Sequence, residues 1–600
     1  MMKPFLYQRM LLATALLSGL STSCAFSQED SQTISSEDVQ DEEIKLQRPQ
    51  GKPLKYELPA IDPNKVEAPT AEVRRESLPV PDRWRIMEGL GIKQNHWDPY
   101  NQNVLKGDKP FEPFKKWGED WFLVLGAISD TLIEARQLPT AVGAQSSGGA
   151  GALDIFGQGR QSTINQNVIF SVAVIKGDTT FKPPDYEFRL VTALNANRTQ
   201  VEEVRAVNID PQRGQIRNDS HIAIQELFFD KHLRNVSDNY DFDSLRIGIQ
   251  PFISDFRGFV FQDNALGVRL FGTRDNNRWQ YNAAWFRRIE KDTNSGLNDI
   301  TEPLRNDDVI MANVFRQDFP VLGHTTQFSV MRNINRERNQ EYYNNNGFLE
   351  RPAVMGDTRP HDYRVTYVGL SGDGHFGRWN LTSSFYRVFG EDSYHPLAQQ
   401  ATDIRASFAA AELSYDFSWI RVRATGVYAS GDKDPFDNKA TGFDAILENP
   451  QIAGADTSFW IRQAVPLIGG GGVVLSGRNA LLPSLRSSKE QGQSNFVNPG
   501  IHLFGLGADF DITPQLRMIA NVSKLSFSDT SSLEVLRNQG DVDTDIGVDV
   551  SASLQYRPFM SQNIVLNASF ASLRPGKGYK QLFDADETQY SVLLNLLMSF

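Results

Sequence analysis

Apolar and polar residues alternate along most of this chain in segments of about ten residues. In "GVDVSASLQYRP", every second residue from Val548 to Tyr556 is apolar, and polar residues lie between them. Successive side chains of a β-strand point to opposite faces, so the segment predicts a strand with one apolar and one polar face. The same alternation recurs from Trp121 onward, in "DYEFRLVTAL", "RWQYNAAWF", "WIRVRATGVY", "PQLRMIANVSK" and "SQNIVLNASF".

The connections between these segments alternate in length. Short ones at 416–419, 511–514 and 557–562 are interleaved with long polar ones at 289–307, 335–361, 390–403 and 528–543. Transmembrane barrels have short periplasmic turns and long external loops. The pattern therefore predicts an all-β fold, a transmembrane antiparallel β-barrel over residues 119–600.

The strand count rests on parity, because a barrel with both termini in the periplasm needs an even number. The alternation gives thirteen strands through "WIRVRATGVYASGD" and five from "IHLFGLGADF", which makes eighteen. Counts of 16 or 20 stay open, because segments 221–231 and 404–416 have ambiguous facing and two apolar pieces lie within 432–500. We predict eighteen strands, with 432–500 as one long external segment that folds partly into the lumen as a constriction.

The chain ends on its most hydrophobic strand, "QYSVLLNLLMSF". The last strand of a closed barrel pairs with the first and has no free edge, which accounts for an apolar end. Its apolar face, which includes Tyr590, Leu596, Met598 and the terminal Phe600, resembles the C-terminal signal of outer-membrane barrels. The resemblance implies that the barrel-assembly machinery is a partner and that outer-membrane lipid surrounds the wall.

The N-terminus has the features of an export signal. Lys3 and Arg9 precede the apolar run "LLATALLSGL", and "AFSQ" offers a cleavage site after Ser27, which predicts a signal peptide at 1–27. The only cysteine, Cys24, would be acylated in the alternative lipoprotein interpretation. Ser21 stands where that pattern requires an apolar residue, and this favours cleavage.

Residues 28–118 differ from the barrel and predict an acidic, Pro-rich periplasmic extension of irregular structure. Its last third is rich in aromatic residues. They suit a segment that docks, for example on the periplasmic mouth of the barrel, or an ordered linker with a few buried anchors. These aromatic residues are Trp84, Trp97, Tyr100, Phe111, Phe114 and Trp117.

Composition excludes several classes of function. The formal net charge of −12 argues against a nucleic-acid binder, and no apolar run after the first 20 residues could form a spanning helix. The sequence contains no HExxH, G-x-S-x-G or Walker A motif, so we predict no enzyme, no metal and no cofactor. His361 and His375 could serve a barrel hydrolase at its rim, but polar strand ends are the simpler interpretation.

The polar faces of the predicted strands carry many arginines. Arginine keeps its charge and pairs with carboxylates through two hydrogen bonds, and rings of such residues favour anions in a pore. The alternative is a structural ladder neutralised by acids such as Glu187, Asp509 and Asp549. The predicted pore-lining residues are Arg189, Arg246, Arg269, Arg364, Arg421, Arg423, Arg517 and Arg557.

One stretch, "GVYASGDKDPFDNKATGFDAI", is similar to the strand end and loop of alginate-export-type barrels. The resemblance covers about twenty residues and implies an eighteen-stranded barrel that passes an acidic polysaccharide through an arginine-rich lumen. The matching residues are Tyr428, Ser430, Gly431, Asp432, Phe443 and Asp444.

The sequence as a whole predicts an outer-membrane channel for small or polymeric anionic or sugar-like solutes, with polysaccharide export as one form. A non-conducting scaffold or adhesin is one alternative, and a plugged energy-coupled receptor is another. The receptor is disfavoured, because the residues before Trp121 are too few and too polar for a globular plug. The solute, its direction of travel and the oligomeric state are left open.

Overall fold

A computed structural model describes residues 89–93, 95–98, 103–118, 120–140, 159–177, 183–237, 241–352, 356–455, 457–462, 490–583 and 586–600. The predicted signal peptide, with Cys24, lies outside these residues, as does most of the extension, including Trp84 and Tyr100. No helix in the described part of the chain has the length and apolar character needed to cross a membrane.

The described residues form twenty-one β-strands, numbered in chain order. They are β1 (Trp121–Gln137), β2 (Arg160–Lys176), β3 (Tyr186–Val201), β4 (Ile216–Asn235), β5 (Phe242–Ile253), β6 (Gln262–Arg274), β7 (Trp279–Arg287), β8 (Asp307–Arg316), β9 (His324–Arg336), β10 (Tyr342–Tyr343), β11 (Leu349–Arg351), β12 (Asp362–Phe376), β13 (Trp379–Asp392), β14 (Thr402–Phe417), β15 (Ile420–Ala429), β16 (Lys439–Ala440), β17 (Ile501–Asp511), β18 (Leu516–Ser526), β19 (Asp545–Tyr556), β20 (Ile564–Pro575) and β21 (Gln589–Ser599).

Eighteen of these strands form a closed antiparallel barrel. β1 pairs with β2 on one side and with β21 on the other, where Gln137 lies opposite Tyr590 and Ile128 opposite Ser599. The three short strands stand apart, because β10 and β11 form a hairpin and β16 adds in parallel to β14. The predicted count of eighteen is therefore confirmed.

The outer face of the wall is apolar. In the last strand, Val592, Leu594 and Met598 are 44%, 50% and 41% exposed, while Leu593 between them is buried. The apolar alternation predicted for this strand is therefore its outward face. Exposed aromatic residues, among them Trp279, Trp379, Phe417 and Tyr556, lie near the strand ends on the same surface, as in the aromatic girdles of membrane barrels.

The two ends of the barrel differ. Trp121 and the C-terminal Phe600 lie at one end, called here the terminus end, where the connections are short, such as 377–378, 418–419 and 512–515. The long connections, such as 288–306, 337–361 and 430–500, all lie at the opposite end, called here the loop end. This asymmetry matches the predicted alternation of connection lengths.

The hydrophobic core lies inside the barrel toward the loop end. The inward faces of β12 to β14 carry large buried residues that include Tyr363, Tyr367, Val388 and Phe408. They pack against residues of the long connection 430–500, such as Phe443, which is fully buried. Each buried side chain of this size contributes about 1.5–3 kcal/mol, so the connection is held firmly against the inner wall.

An N-terminal segment extends the sheet beyond the end of β21. The backbone N–H of Leu125 in β1 donates to the carbonyl of Leu105 at 2.7 Å, and Lys106 forms a bridge with Val124. The Nζ of Lys106 lies 4.3 Å from the centre of the Phe600 ring. The segment thus covers the part of β1 that β21 leaves unpaired, since β21 ends opposite Ala127 and Ile128.

The predicted docking aromatics divide into two groups. A short 3₁₀ helix, Glu112–Trp117, places Phe111, Phe114 and Trp117 in a row of ring contacts that ends on Trp121 at the start of β1. Trp97 is 88% exposed and contacts no wall residue through its ring in the described structure. In the described part of the extension, Phe111, Phe114 and Trp117 thus anchor the chain to the start of the wall at Trp121.

Candidate functional site: the lumen and the segment folded into it

The connection 430–500 turns into the barrel directly after β15. Oδ1 of Asp432 accepts hydrogen bonds from the backbone N–H and the hydroxyl of Thr441 at 3.2 and 3.0 Å, and Ser430 donates to the Thr441 carbonyl at 2.7 Å. The ring of Phe443 then stacks on Phe408 with centroids 5.0 Å apart. Ser430, Asp432 and Phe443, which carry the resemblance to alginate-export barrels, thus form the turn by which the connection enters the barrel, and the export function that the resemblance implied gains no support from them.

The segment next runs along an inward-folded loop between β5 and β6. The backbone N–H groups of Ile446 and Leu447 both donate to the Val260 carbonyl, and the Gln262 N–H donates to the Leu447 carbonyl at 2.9 Å. A guanidinium fixes the end of this stretch, since Nη1 of Arg257 donates to the Gln451 carbonyl at 3.1 Å. These bonds satisfy the polar backbone of a segment that is buried away from water.

The segment then reaches the far wall. Ser458 donates to the Asp549 carboxylate in β19 at 2.6 Å, and the Trp460 N–H donates to the same oxygen at 2.9 Å. β7 to β18 separate β6 from β19 along the closed wall, so these two attachments lie on nearly opposite sides. The described chain from Leu447 to Ser458 therefore crosses the lumen. Asp549, predicted to face inward, is one of its two supports.

Three buried arginines hold the returning end of the segment. Arg288 and Arg305 donate to the Glu490 carbonyl at 3.2 and 2.9 Å, Arg305 also donates to the Gly492 carbonyl at 2.9 Å, and Arg351 donates to the Gln491 carbonyl at 2.7 Å. We call Arg288, Arg305 and Arg351 the arginine anchor. Each of the three is at most 4% exposed.

Carboxylates neutralise the arginine anchor. Asp307 pairs with Arg288 at 2.9 Å, Glu337 pairs with Arg305 at 2.9 Å, and Glu290 pairs with Arg351 at 2.6 Å. Burial alone would raise the pKa of Glu337, but the charges of Arg305 and Arg351 outweigh it and hold the pKa at about 2. Three cations and three anions therefore form a closed network in the interior, and breaking one member leaves the others unpaired.

Three of the predicted pore-lining arginines lie together on the inner face of β3, β5 and β6. Arg189 pairs with Glu187 at 2.6 Å, and Arg246 donates to Asp230 at 2.8 Å. Arg269 lies directly opposite Arg246 in the sheet. Its Nε donates to the amide oxygen of Asn282 at 2.7 Å, and its guanidinium lies 4.7 Å from the centre of the Phe271 ring.

A second group lies on the inner face near the terminus end. Arg423 and Arg517 both pair with Asp509, at 2.9 and 2.6 Å, and Arg421 donates to Asp416 at 2.5 Å. These four strand ends therefore carry a ladder in which arginines and carboxylates alternate. The lumen is not the uncompensated cationic surface that the arginine count alone would give, and the acid-neutralised alternative describes this group.

Two predicted positions lie elsewhere. Arg364 shares the face of the exposed Leu370 and pairs with Glu391 at 3.3 Å on the outer surface, so its prediction as a lumen residue is wrong. The cause is the apolar inner face of β12, where Tyr363 and Tyr367 resemble a lipid-facing row. Arg557 follows the last residue of β19 and lies in the short connection 557–563 at the terminus end.

The wall on the other side of the lumen is lined by amides. Asn195 donates to Asn165 and Asn167 at 2.5 and 2.6 Å, and Asn567 donates to Asn595 at 3.2 Å. These residues come from β2, β3, β20 and β21, which follow one another around β1. This part of the inner wall is therefore rich in amides, and β1 adds the buried carboxylates Asp130 and Glu134, which accept from Asn595 and Ser591 at 2.5 and 2.6 Å. The wall from β12 to β15 is instead apolar where the segment packs.

The arginine anchor could not be predicted from the sequence, because loops have no alternation that assigns a face. Arg288 and Arg305 lie in the connection 288–306, and Arg351 lies in β11 of the hairpin within 337–361. A weak signal exists in "RRIEK" (287–291), where charged residues directly follow the apolar strand β7.

The rim histidines have structural contacts. Nδ1 of His361 lies 2.8 Å from the Asp392 carboxylate, and the side chain of Gln493 donates to the His361 carbonyl at 2.8 Å. His375 lies at the other end of β12, where β12 pairs with the start of β13. Among the described residues no group of three or more His, Cys, Asp or Glu side chains could hold a metal ion.

The buried carboxyl group of Asp432 should make the stability of the folded-in segment depend on pH. Burial raises its pKa to about 6, and the charges of Asp437 and Asp434 act in the same direction. Because the pKa is higher in the folded state, protonation of Asp432 stabilises the fold. The free energy of unfolding should therefore be highest below about pH 3.8 and should fall by roughly 3 kcal/mol as the pH rises through 6. Protease cleavage within 445–497 should therefore be faster at pH 7.5 than at pH 4.5. D432N should remove most of that difference, and an unchanged difference would contradict the assignment.

The fold is similar to solved structures from Pseudomonas aeruginosa at low identity. OccK2 (OpdF) aligns at 12% identity with a TM-score of 0.43 over 80% of this chain and 97% of that chain, and another of its structures contains glucuronate. OccK9 (OpdG) aligns at 12% identity with a TM-score of 0.44, over 80% and 98%. The outer membrane protein opdK aligns at 11% identity with a TM-score of 0.42, over 80% and 99%. No family model matches the sequence, and no curated protein matches it.

Proposed function

We propose that this protein is an outer-membrane channel for small polar solutes, and that its lumen is narrowed by the described residues 445–455, 457–462 and 490–497. The observation that carries the proposal is the chain between Leu447 and Ser458, which crosses a closed barrel whose outer face is apolar. A wall of this kind suits a bilayer, because the closed ladder leaves no strand at a free edge and the exposed surface is apolar. The extension and both ends of the chain would then lie in the periplasm.

A crossing segment favours small solutes over polymers. Residues 446–458 are bonded to both walls, so a chain of sugars would have to displace them along its whole length. The amide wall formed by Asn165, Asn195 and Asn595 offers donors and acceptors for hydroxyl groups. Small sugar-like or anionic solutes therefore suit the lumen, and polysaccharide export has no support in this geometry.

Anion preference depends on one pair of arginines. Arg246 and Arg269 lie side by side across β5 and β6, and Arg269 bonds an amide oxygen where its neighbours bond carboxylates. A solute carboxylate could replace that amide contact, because guanidinium groups bind carboxylates more strongly than neutral acceptors. The other inward arginines of this group and of the ladder at Asp509 are already paired.

A selectivity measurement tests the anion preference. We expect the double variant R246Q/R269Q to lower the ratio of anion to cation permeability by about three-fold, because the substitutions remove two positive charges from a narrow polar lumen. Reversal potentials in a salt gradient across a planar bilayer would give the ratio. R364Q removes the same kind of residue from the outer face and should leave the ratio unchanged. Equal effects of the two variants would contradict the proposal.

A closed, non-conducting barrel is the second candidate, and one observation favours it. Inward side chains such as Asn313, Gln327 and Asn333 are at most 1% exposed, so the lumen is densely filled along β8 and β9. In that case the loops would carry the function as a scaffold or adhesin. An energy-coupled receptor is less well supported, because the described N-terminal residues 103–118 lie against β1 at the terminus end.

A further inference from the structure

The outer face of β2 to β4 carries a row of basic and aromatic side chains at the terminus end. Trp121, Lys176, Tyr186 and Lys231 are direct neighbours across consecutive strands, in that order. The face is the outward one, because it also carries the exposed Phe188 and Leu190 two and four residues beyond Tyr186. The row therefore stands where the apolar belt of the wall ends.

The two lysines converge on one aromatic ring. The Nζ atoms of Lys176 and Lys231 lie 5.8 and 5.7 Å from the centre of the Tyr186 ring. Phe229 stacks beside Tyr186 at 5.9 Å and on Phe188 at 4.7 Å, so a rigid aromatic floor holds the two ammonium groups in place. A cation above an aromatic face is stabilised by the ring while it stays available to an anion.

In the described residues neither lysine has a carboxylate within ion-pair distance, although carboxylates are abundant elsewhere on the wall. The acid on the neighbouring strand of this face, Asp243, is held by Arg234 at 2.8 Å and by Arg274 at 2.7 Å, and Tyr281 also donates to it. The other outward lysine of interest, Lys524 near the loop end, is paired with Asp545. Among the described residues, the row at Tyr186 thus carries two positive charges that form no ion pair, although Asp185 directly precedes Tyr186 in the chain.

We propose that Lys176, Tyr186 and Lys231 form a binding site for the headgroup of an anionic phospholipid in the adjacent leaflet. The lysines would contact the phosphate, and Phe188 and Phe229 would contact the first carbons of the acyl chains. Two positive charges that no described carboxylate pairs with favour a headgroup of net negative charge over a zwitterionic one, which brings its own cation. The proposal rests on the barrel being embedded in a bilayer, and it does not depend on conduction.

Lipid retention tests the site. The full chain is reconstituted into bilayers of equal parts phosphatidylglycerol and phosphatidylcholine, extracted gently, and its retained lipids are counted by native mass spectrometry. We expect wild type to retain phosphatidylglycerol about ten-fold over phosphatidylcholine, and K176Q/K231Q to lose most of that preference. K524Q is the matched control and should retain it, because its lysine is already paired.

The outcomes are distinct. Equal retention of the two lipids by wild type, or equal losses in K176Q/K231Q and K524Q, would overturn the site. Displacement of the lipid by millimolar inorganic phosphate alone would also overturn it, because the acyl chains would then contribute nothing. Failure of the wild-type chain to enter bilayers would overturn the membrane barrel itself and the lipid site with it. If K176Q/K231Q folds poorly, Y186L, which removes the ring and keeps both charges, should still lower the preference.

Discussion

Deletion of residues 445–497 is expected to turn a narrow or silent barrel into a wide channel. The deletion removes the chain that crosses the lumen between Val260 and Asp549, while β15 and β17, which pair directly with each other, keep the wall closed. Swelling of liposomes loaded with sugars of increasing size would measure the opening. We expect the wild type to admit monosaccharides at most and the deletion variant to admit oligosaccharides, since an eighteen-stranded wall encloses a wide lumen.

A control separates opening from unfolding. A folded barrel migrates differently on a gel before and after heating. A deletion variant that shows the same difference in mobility as wild type has therefore kept its closed wall. D549A is a milder version, because it removes the acceptor for Ser458 and Trp460 and leaves the chain length unchanged. Identical size cut-offs for wild type and a folded deletion variant would contradict a constriction in this segment.

The second large effect is expected from R305Q. This change removes the donor to the Glu490 and Gly492 carbonyls and leaves Glu337 with a single cationic neighbour, Arg351, at 3.5 Å. Breaking one partner of a buried charge network costs about 3–5 kcal/mol. We expect residues 490–500 to become accessible to protease in R305Q, and the single-channel current to fluctuate between two levels as the segment detaches.

R338Q is the matched control for R305Q. Arg338 belongs to the connection 337–361, directly after Glu337, and pairs with Asp362 at 3.4 Å, but it is mostly exposed, and exposed pairs contribute at most about 1 kcal/mol. In wild type the stabilisation from Glu337 should be complete above about pH 4.5 and should be lost as pH falls toward 2, because its pKa is lowered in the folded state. Equal protease sensitivity of R305Q and R338Q would show that the arginine anchor does not hold the segment.

The outer face of the barrel could be predicted because lipid imposes one simple demand on it. Every second residue must be apolar there. In β19, where Val550 and Leu554 are exposed, this alternation can be read directly from the sequence. Parity then excluded an odd strand count, because a single extra strand would have placed the two chain ends at opposite ends of the barrel. The choice of eighteen over 16 or 20 needed the strand pairing.

The inner face could be predicted only in part. In β12 and β14 the inward residues Tyr367 and Phe408 are as apolar as the outward ones, because they pack against Phe443 of the folded-in segment. Alternation fails where both faces are apolar, which explains the ambiguous segment 404–416 and the wrong face for Arg364. A different cause acts at 221–231, where a bulge at Gln225 moves the outward row from Ile222 to Leu227.

Contacts made by loops could not be predicted at all. The arginine anchor joins residues that are more than 100 positions apart, such as Arg351 and Gln491, and no local pattern relates them. The C-terminal residues Leu596, Met598 and Phe600 pair in the wall as expected of a last strand, while their recognition by an assembly machinery stays a prediction.

Single-channel recording of the refolded wild-type chain in planar bilayers, beside the variant lacking 445–497, would show whether this barrel conducts and whether the folded-in segment narrows it. We expect a small, noisy conductance for wild type and a several-fold larger, steady conductance for the variant. Silence from both proteins, with the barrel shown to be folded and inserted, would contradict a channel and would favour a scaffold.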